Sequence, residues 1–258
     1  MTLKTRIAAG DVLLGTFVKT PHPHVVEVLC KTSLDLLILD AEHAPFDRGD
    51  LDACILAARA GGTAVLVRPP DASPAAILNA LDCGADGILA PHIRSVAEAR
   101  ELVKAAHYGP GGRGYAGSSR AAGYGLTAMA AHRSVSAAQT VVIAQIEDLE
   151  ALDDIGAIAA VDGIDALFIG RADLTVALNC ASSDDPPVIA AVERVCAAAL
   201  AAGRPVGMFL ARPGDASLWQ AKGATIFFLG SDHSFLRVGA EALRIEAGLS
   251  PSGPARAQ

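Results

Sequence analysis

Eight short apolar runs, each followed by an amphipathic stretch, recur from one end of the chain to the other: Val12–Val18, Asp35–Leu39, Ala64–Arg68, Gly87–Ala90, Thr140–Ile146, Ala166–Gly170, Pro205–Leu210 and Thr225–Leu229. They are continuous rather than alternating, the pattern of parallel strands covered on both faces. Between them lie helical patterns at Pro23–Lys31, Asp47–Ala60, Pro74 to near Gly84, Val96–Ala106, Leu149–Ala160, Pro187–Ala202, Gly214–Lys222 and Ser234–Glu246. Ser73 and Ser95 stand at N-cap positions, and Pro74 occupies a first helical turn. Eight strand–helix alternations predict an α/β fold closed as a (β/α)8 TIM barrel, preferred over an open doubly wound sheet. The 258 residues suit a single domain over 1–258 with no linker. The Gly-, Ser- and Arg-rich segment Gly109–Arg133 is too long for a simple connection and is expected to be a functional loop over the barrel mouth. The tail Leu249–Gln258 is expected to be frayed or used in oligomer contacts.

Composition narrows the function classes. Hydrophobic residues make up 52% of the chain, enough for a large core, which excludes disorder. The formal charge of −7 argues against nucleic acid as a partner and leaves no polybasic membrane anchor. Mean hydropathy is +0.38, yet no window offers the roughly 20 uncharged apolar residues of a spanning helix. Gly10-Asp11 interrupts any signal-peptide core after Lys4 and Arg6. Five cysteines without a C-x-x-C spacing read as buried thiols in a reducing, cytoplasmic setting.

Barrel active sites lie at the C-terminal strand ends, and here those ends are charged: Asp40-Ala41-Glu42-His43, Arg68, Pro91-His92, Gln145-Ile146-Glu147, Arg171-Ala172-Asp173 and Ser231-Asp232-His233. Glu147 and Asp173 end adjacent strands about 5 Å apart, so they are candidate ligands for one cation. Two carboxylates without a Cys or His cluster favour a hard ion, Mg²⁺ or Mn²⁺; the alternative is a structural ion network with nearby arginines. His43 is the candidate general base, with Asp40, Glu42 or Asp82 to orient its ring. Arg68 has the fork geometry to hold a substrate carboxylate, or else a salt bridge to Asp40 or Glu42. His22 and His24 sit in a Pro-punctuated loop and are not taken as ligands; His92 and His233 are given no role. Gly111-Gly112-Arg113-Gly114 lacks the ending of a nucleotide loop.

The runs L-D-L-L-I-L-D-A-E-H-A-P (Leu34–Pro45), V-L-V-R-P (Val65–Pro69), L-D-C-G-A-D-G-I-L-A-P (Leu81–Pro91), G-G-R-G-Y (Gly111–Tyr115), A-Q-I-E (Ala144–Glu147) and L-F-I-G-R-A-D-L (Leu167–Leu174) occur in order. Together they resemble the class II pyruvate aldolases of the HpcH/HpaI aldolase/citrate lyase family, over roughly Gly15 to Glu246. The resemblance implies a barrel that depends on a divalent metal (Mg²⁺ or Mn²⁺, with Co²⁺ as an alternative), forms a homohexamer built as a trimer of dimers, and cleaves 4-hydroxy-2-oxo acids to pyruvate and an aldehyde. It assigns Glu147 and Asp173 as metal ligands, Arg68 to the pyruvate carboxylate and enolate, His43 as base and Asp82 as its partner. Gln145 matches the polar residue beside the metal glutamate, Gly170 and Ala172 match backbone contacts to the pyruvate end, and Arg113 matches a loop residue near the site.

Two positions depart from the family pattern. Arg171 stands where the family usually has Pro, and His92 where an apolar residue is frequent. With no lysine at an expected strand end, an imine mechanism is disfavoured. Rival readings are a CoA-ester lyase, an oxaloacetate decarboxylase and a non-catalytic metabolite-binding barrel.

Overall fold

A computed structural model describes residues 1–249. Its strands are β1 (Leu13–Val18), β2 (Leu36–Asp40), β3 (Ala64–Arg68), β4 (Gly87–Ala90), β5 (Val141–Ile146), β6 (Ala166–Ile169), β7 (Val206–Leu210) and β8 (Ala224–Ser231). They pair in chain order, all parallel, and β8 closes on β1. β3 and β4 have the bounds expected from sequence, and β8 runs two residues further, to Ser231. The expected tail lies outside the described residues apart from Leu249, which is exposed.

Most helices fall where their patterns lie. Asp47 opens the helix Arg48–Gly61 with a reciprocal capping box to Asp50. The pattern at Leu149–Ala160 forms two short helices, Leu149–Asp153 and Ile155–Ala159, that meet at Asp154. Three helices were not expected: Leu3–Ala9, Met129–Gln139 and Arg171–Ala177. No helix among the described residues is long and apolar enough to cross a membrane.

The strands are buried on both faces, which explains their uninterrupted apolar runs. Leu36 and Ile38 of β2, Leu66 of β3, Val141 and Ile143 of β5, Phe168 of β6 and Phe228 of β8 fill the barrel interior. The intervening residues Leu37, Leu39, Val65, Val67, Val142 and Ala144 pack outward under the helices. Leu3 and Ile7 of the N-terminal helix belong to the interior cluster. Three aromatic rings, Phe17, Phe168 and Phe228, meet with centroids 5.4–6.1 Å apart.

At the N-terminal end of the barrel the same carboxylate device recurs. Asp35 accepts from the Leu14 N–H at 2.9 Å, Asp86 from Val65 at 2.8 Å and Asp165 from Val142 at 2.8 Å. Each aspartate's own N–H returns a bond to the carbonyl of the same partner at 2.8 Å.

Segment 109–133 does not arch over the opposite, C-terminal mouth. Its charged groups are drawn to the flanking helices: Arg120 pairs with Asp52 at 2.5 Å, and Arg113 with Asp82. The Ala121 N–H donates to the Asp82 carbonyl, and the segment ends inside the helix Met129–Gln139. Those partners lie on the outer helices, so the loop is held against the side of the barrel.

Candidate active site

Side chains alternate along a strand, so the inward row of each strand carries on into whatever follows it. In β2 the row Leu36, Ile38 ends in Asp40; in β3, Leu66 leads to Arg68; in β5, Val141 and Ile143 lead to Gln145 and then Glu147. In β6 Phe168 leads to Gly170, and in β1 Phe17 leads to Lys19. The rows are apolar at depth and polar at the mouth, where they line a cavity of about 370 Å³ with His43, Arg68, Gln145, Gly170, Ala172 and Asp173 among its walls. The Arg68 guanidinium carbon lies 4.8 Å above the Phe17 ring, at the floor.

Asp40 and Arg68 form the buried centre of the site. Arg68 Nε donates to Asp40 Oδ1 at 3.0 Å, and Nη2 lies 2.8 Å from Oδ2. Arg68 Nε is also 3.2 Å from Glu42 Oε2. Burial pushes the Asp40 carboxyl up, but the guanidinium outweighs it and holds the group below the usual carboxylate range. Arg68 thus lines the cavity and is at the same time paired to Asp40 and Glu42. His43, exposed on the rim, has its N–H on Asp40 Oδ1 at 3.1 Å, and its Nε2 is 3.8 Å from Glu42 Oε2.

Glu147 is buried and accepts from the Gln145 amide and from the His92 N–H, the latter at 2.9 Å. Burial raises its pKa, with Asp173 adding to the rise and Gln145 and His92 opposing it. Gly170 makes this packing possible: a Cβ there would stand 2.6 Å from both the Cβ and Oε2 of Glu147. Gln145 Oε1 is buried without a hydrogen-bond partner among the described residues.

His92 was given no role from sequence, yet it sits in the middle of these groups. Nε2 lies 3.5 Å from Glu42 Oε1, and Nδ1 lies 3.4 Å from Glu147 Oε1 and 2.9 Å from Asp148 Oδ2. Glu42, His92 and Glu147 each present a ligand atom within 4.8 Å of the others. The expectation of a cluster without histidine is therefore corrected. His92 lies off the inward parity and reaches the site through a left-handed backbone, φ +55°, which sequence alternation does not reveal.

Two expected site residues are brought elsewhere. Asp82, at the end of the helix Pro74–Asp82, pairs with Arg113, and neither lines the cavity. Within the protomer Asp82 is paired with Arg113, because 109–133 packs on the barrel flank. Lys19 corrects the expectation in the other sense, since it follows β1 directly and lines the cavity. Its ammonium faces Asp40 Oδ2 at 3.5 Å, the setting of a paired cation rather than of the desolvated amine that forms imines. Arg171 turns its guanidinium to the Ser183 carbonyl at 2.9 Å and over the Trp219 ring at 5.0 Å, so it braces the loop at 183–184.

The model of the family described as HpcH/HpaI aldolase/citrate lyase matches residues 13–238. A curated relative, the 5-keto-4-deoxy-D-glucarate aldolase of Shigella dysenteriae, is 33% identical over 242 residues, covering 93% of this chain and 94% of its own length. Two solved structures superpose closely. One, an HpcH/HpaI aldolase/citrate lyase family protein from Burkholderia cenocepacia, has a TM-score of 0.89 and 31% identity, with 95% of this chain and 98% of that one covered. The other, an HpcH/HpaI aldolase from Desulfitobacterium hafniense, has a TM-score of 0.89 and 30% identity, with 98% of this chain and all of that one covered (100%).

Proposed function

From the premise that the chain belongs to the HpcH/HpaI aldolase/citrate lyase family, we propose that it is a class II aldolase. It cleaves a 4-hydroxy-2-oxo acid reversibly to pyruvate and an aldehyde. The observation that carries this reading is the convergence of Arg68, His43 and Asp173 on one cavity, with the buried Glu147 packed directly behind its wall residues Gln145 and Gly170.

The donor set there fits a divalent cation. Glu147 is buried with its charge uncompensated by any arginine or lysine ion pair among the described residues, and Asp173 raises its pKa further. Gly170 leaves Oε2 uncovered by any side chain of its own. Glu147 and Asp173 would hold the ion, Mg²⁺ or Mn²⁺, with Gln145 fixing the glutamate. Such an ion supplies Lewis acidity toward the 2-oxo group when bound.

The chain's own residues do the rest. Arg68, oriented by Asp40 through Nε and Nη2, presents its remaining guanidinium N–H groups to the pyruvate carboxylate and to the charge that develops beside it. Backbone groups at Gly170 and Ala172 border the same end of the cavity. His43, on the rim, takes the proton from the 4-hydroxyl during cleavage and returns it during condensation. The test needs no knowledge of the aldehyde. In deuterated buffer with Mg²⁺ or Mn²⁺ the methyl protons of pyruvate should exchange, and chelator should stop the exchange. No exchange under either condition would refute the pyruvate reading.

The homo-oligomer is likewise a proposal, supported by the apolar surface that the helix Asp232–Glu246 exposes at Leu236, Val238, Leu243 and Ile245. Sedimentation should give a hexamer, and a 26.3 kDa monomer would refute it. The free cysteines suit a cytoplasmic setting.

A further inference from the structure

We propose that His92 is a third donor to the cation at Glu147, so that this chain's centre is a mixed nitrogen–oxygen site with Glu42 at its edge. The inference rests on the metal-centre reading given above and concerns one of the two residues by which this chain departs from the family pattern.

Three independent features support it. His92 Nδ1 is 2.9 Å from Asp148 Oδ2, and Asp148 is itself held by Arg94 Nε at 3.2 Å. A carboxylate beside one ring nitrogen orients the ring and favours the tautomer whose other nitrogen can bind a metal, the arrangement found behind metal-ligating histidines. That second nitrogen, Nε2, points toward Glu42 Oε1 at 3.5 Å, and atoms of Glu42, His92 and Glu147 gather within 4.8 Å.

The second feature is backbone strain. A non-glycine residue at φ +55° occupies a sparsely populated region, and such residues cluster at functional sites. Here that conformation directs the His92 N–H to Glu147 Oε1 at 2.9 Å while its ring reaches the same carboxylate. The third is the polarity of the ring's surroundings. The ring is partly exposed, with carboxylates at 2.9, 3.4 and 3.5 Å, so core packing does not explain its position.

The consequence is metal selection. Oxygen-only sites suit Mg²⁺, whereas an imidazole raises affinity along the series from Mn²⁺ toward Co²⁺ and Zn²⁺. Binding of each metal alone is measured calorimetrically on the full chain and on His92→Asn and His92→Gly, two residues that tolerate the left-handed backbone. Circular dichroism confirms that the variants fold. The variants should lose Co²⁺ and Zn²⁺ affinity by about tenfold or more, the loss seen on removing even a group that only orients a ligand, while Mg²⁺ affinity changes little. In the Mn²⁺-loaded protein, spin-echo modulation from a bound nitrogen should be present and should vanish in both variants.

Unchanged Co²⁺ and Zn²⁺ affinity, or no nitrogen modulation in the native protein, would overturn the assignment of His92. Glu147→Ala separates this from the underlying reading. If it abolishes binding while the His92 variants bind as the native chain does, His92 alone is refuted. If Glu147→Ala still binds Mg²⁺, Mn²⁺, Co²⁺ and Zn²⁺ normally, the metal centre itself falls, and this inference with it.

Discussion

Arg68→Ala is expected to lose about 3–5 kcal/mol of stability at neutral pH, the range for breaking a buried ion pair, together with a fall of about 10²–10³ in the rate of pyruvate proton exchange. The stability loss comes from Asp40, which is fully buried and would keep only Lys19, at 3.5 Å, as an ion-pair partner among the described residues. The pH dependence identifies the cause. In the native chain the folded pKa of Asp40 is depressed, so its contribution is present above the unfolded carboxylate value. That contribution is lost as pH falls through the folded one. Without the guanidinium, burial dominates and the sign reverses: the carboxylate opposes folding at neutral pH, and protonation relieves it. Urea denaturation at pH 7 and pH 4 should therefore show the deficit shrinking on acidification. An equal deficit at both would mean that lost packing on Phe17, not charge, carries the effect. Arg68→Lys keeps the charge but not the fork and should recover stability better than rate.

Gly170→Ala should disable the site with one methyl group. The backbone at Gly170 has φ −79°, which alanine adopts freely, so conformational strain is not the issue. The new Cβ would stand 2.6 Å from Glu147 Cβ and Oε2, a distance that forces the glutamate aside. Overpacking of this kind costs about 1–3 kcal/mol, and the barrel should survive it. Mn²⁺ affinity should fall by about tenfold or more, equivalent to about 1.4 kcal/mol, and exchange should fall with it. Gly156→Ala is the control, since a Cβ there meets nothing within 4 Å. Native Mn²⁺ affinity in Gly170→Ala would show that Glu147 is not the ligand.

Much of this site was legible because two strand properties suffice to reach it. Continuous apolar runs identify the barrel, and period-two alternation then selects which terminal residues face inward. Asp40, Arg68, Gln145 and Gly170 follow from that rule, and so does Lys19, two residues beyond Phe17, although a search for a lysine at the end of the run passed over it. His92 does not follow. It breaks the parity, and only its left-handed backbone returns it to the carboxylates of Glu42 and Glu147. Arg113, and the choice of Asp82 over Asp40 or Glu42 as the partner of His43, were assigned by resemblance rather than from local pattern, and in this chain Asp82 and Arg113 meet each other on the barrel flank. The helix Met129–Gln139 was obscured by the Gly- and Ser-rich segment leading into it.

The aspartates at the other end of the barrel carry a different implication. Asp35, Asp86 and Asp165 each precede an even-numbered strand and bond both ways with the odd-numbered strand before it. They fasten β1 to β2, β3 to β4 and β5 to β6. The equivalent place before Ile226 in β8 is taken by Thr225, whose hydroxyl has no hydrogen-bond partner among the described residues. The molecule is thus organised as quarters: three clasped strand pairs and one left open. Circular permutants cut between quarters, after β2 or β4, would keep every clasp intact. Cuts within a clasped quarter would divide it, so the places where this chain tolerates new ends are written in its carboxylates as well as in its loops.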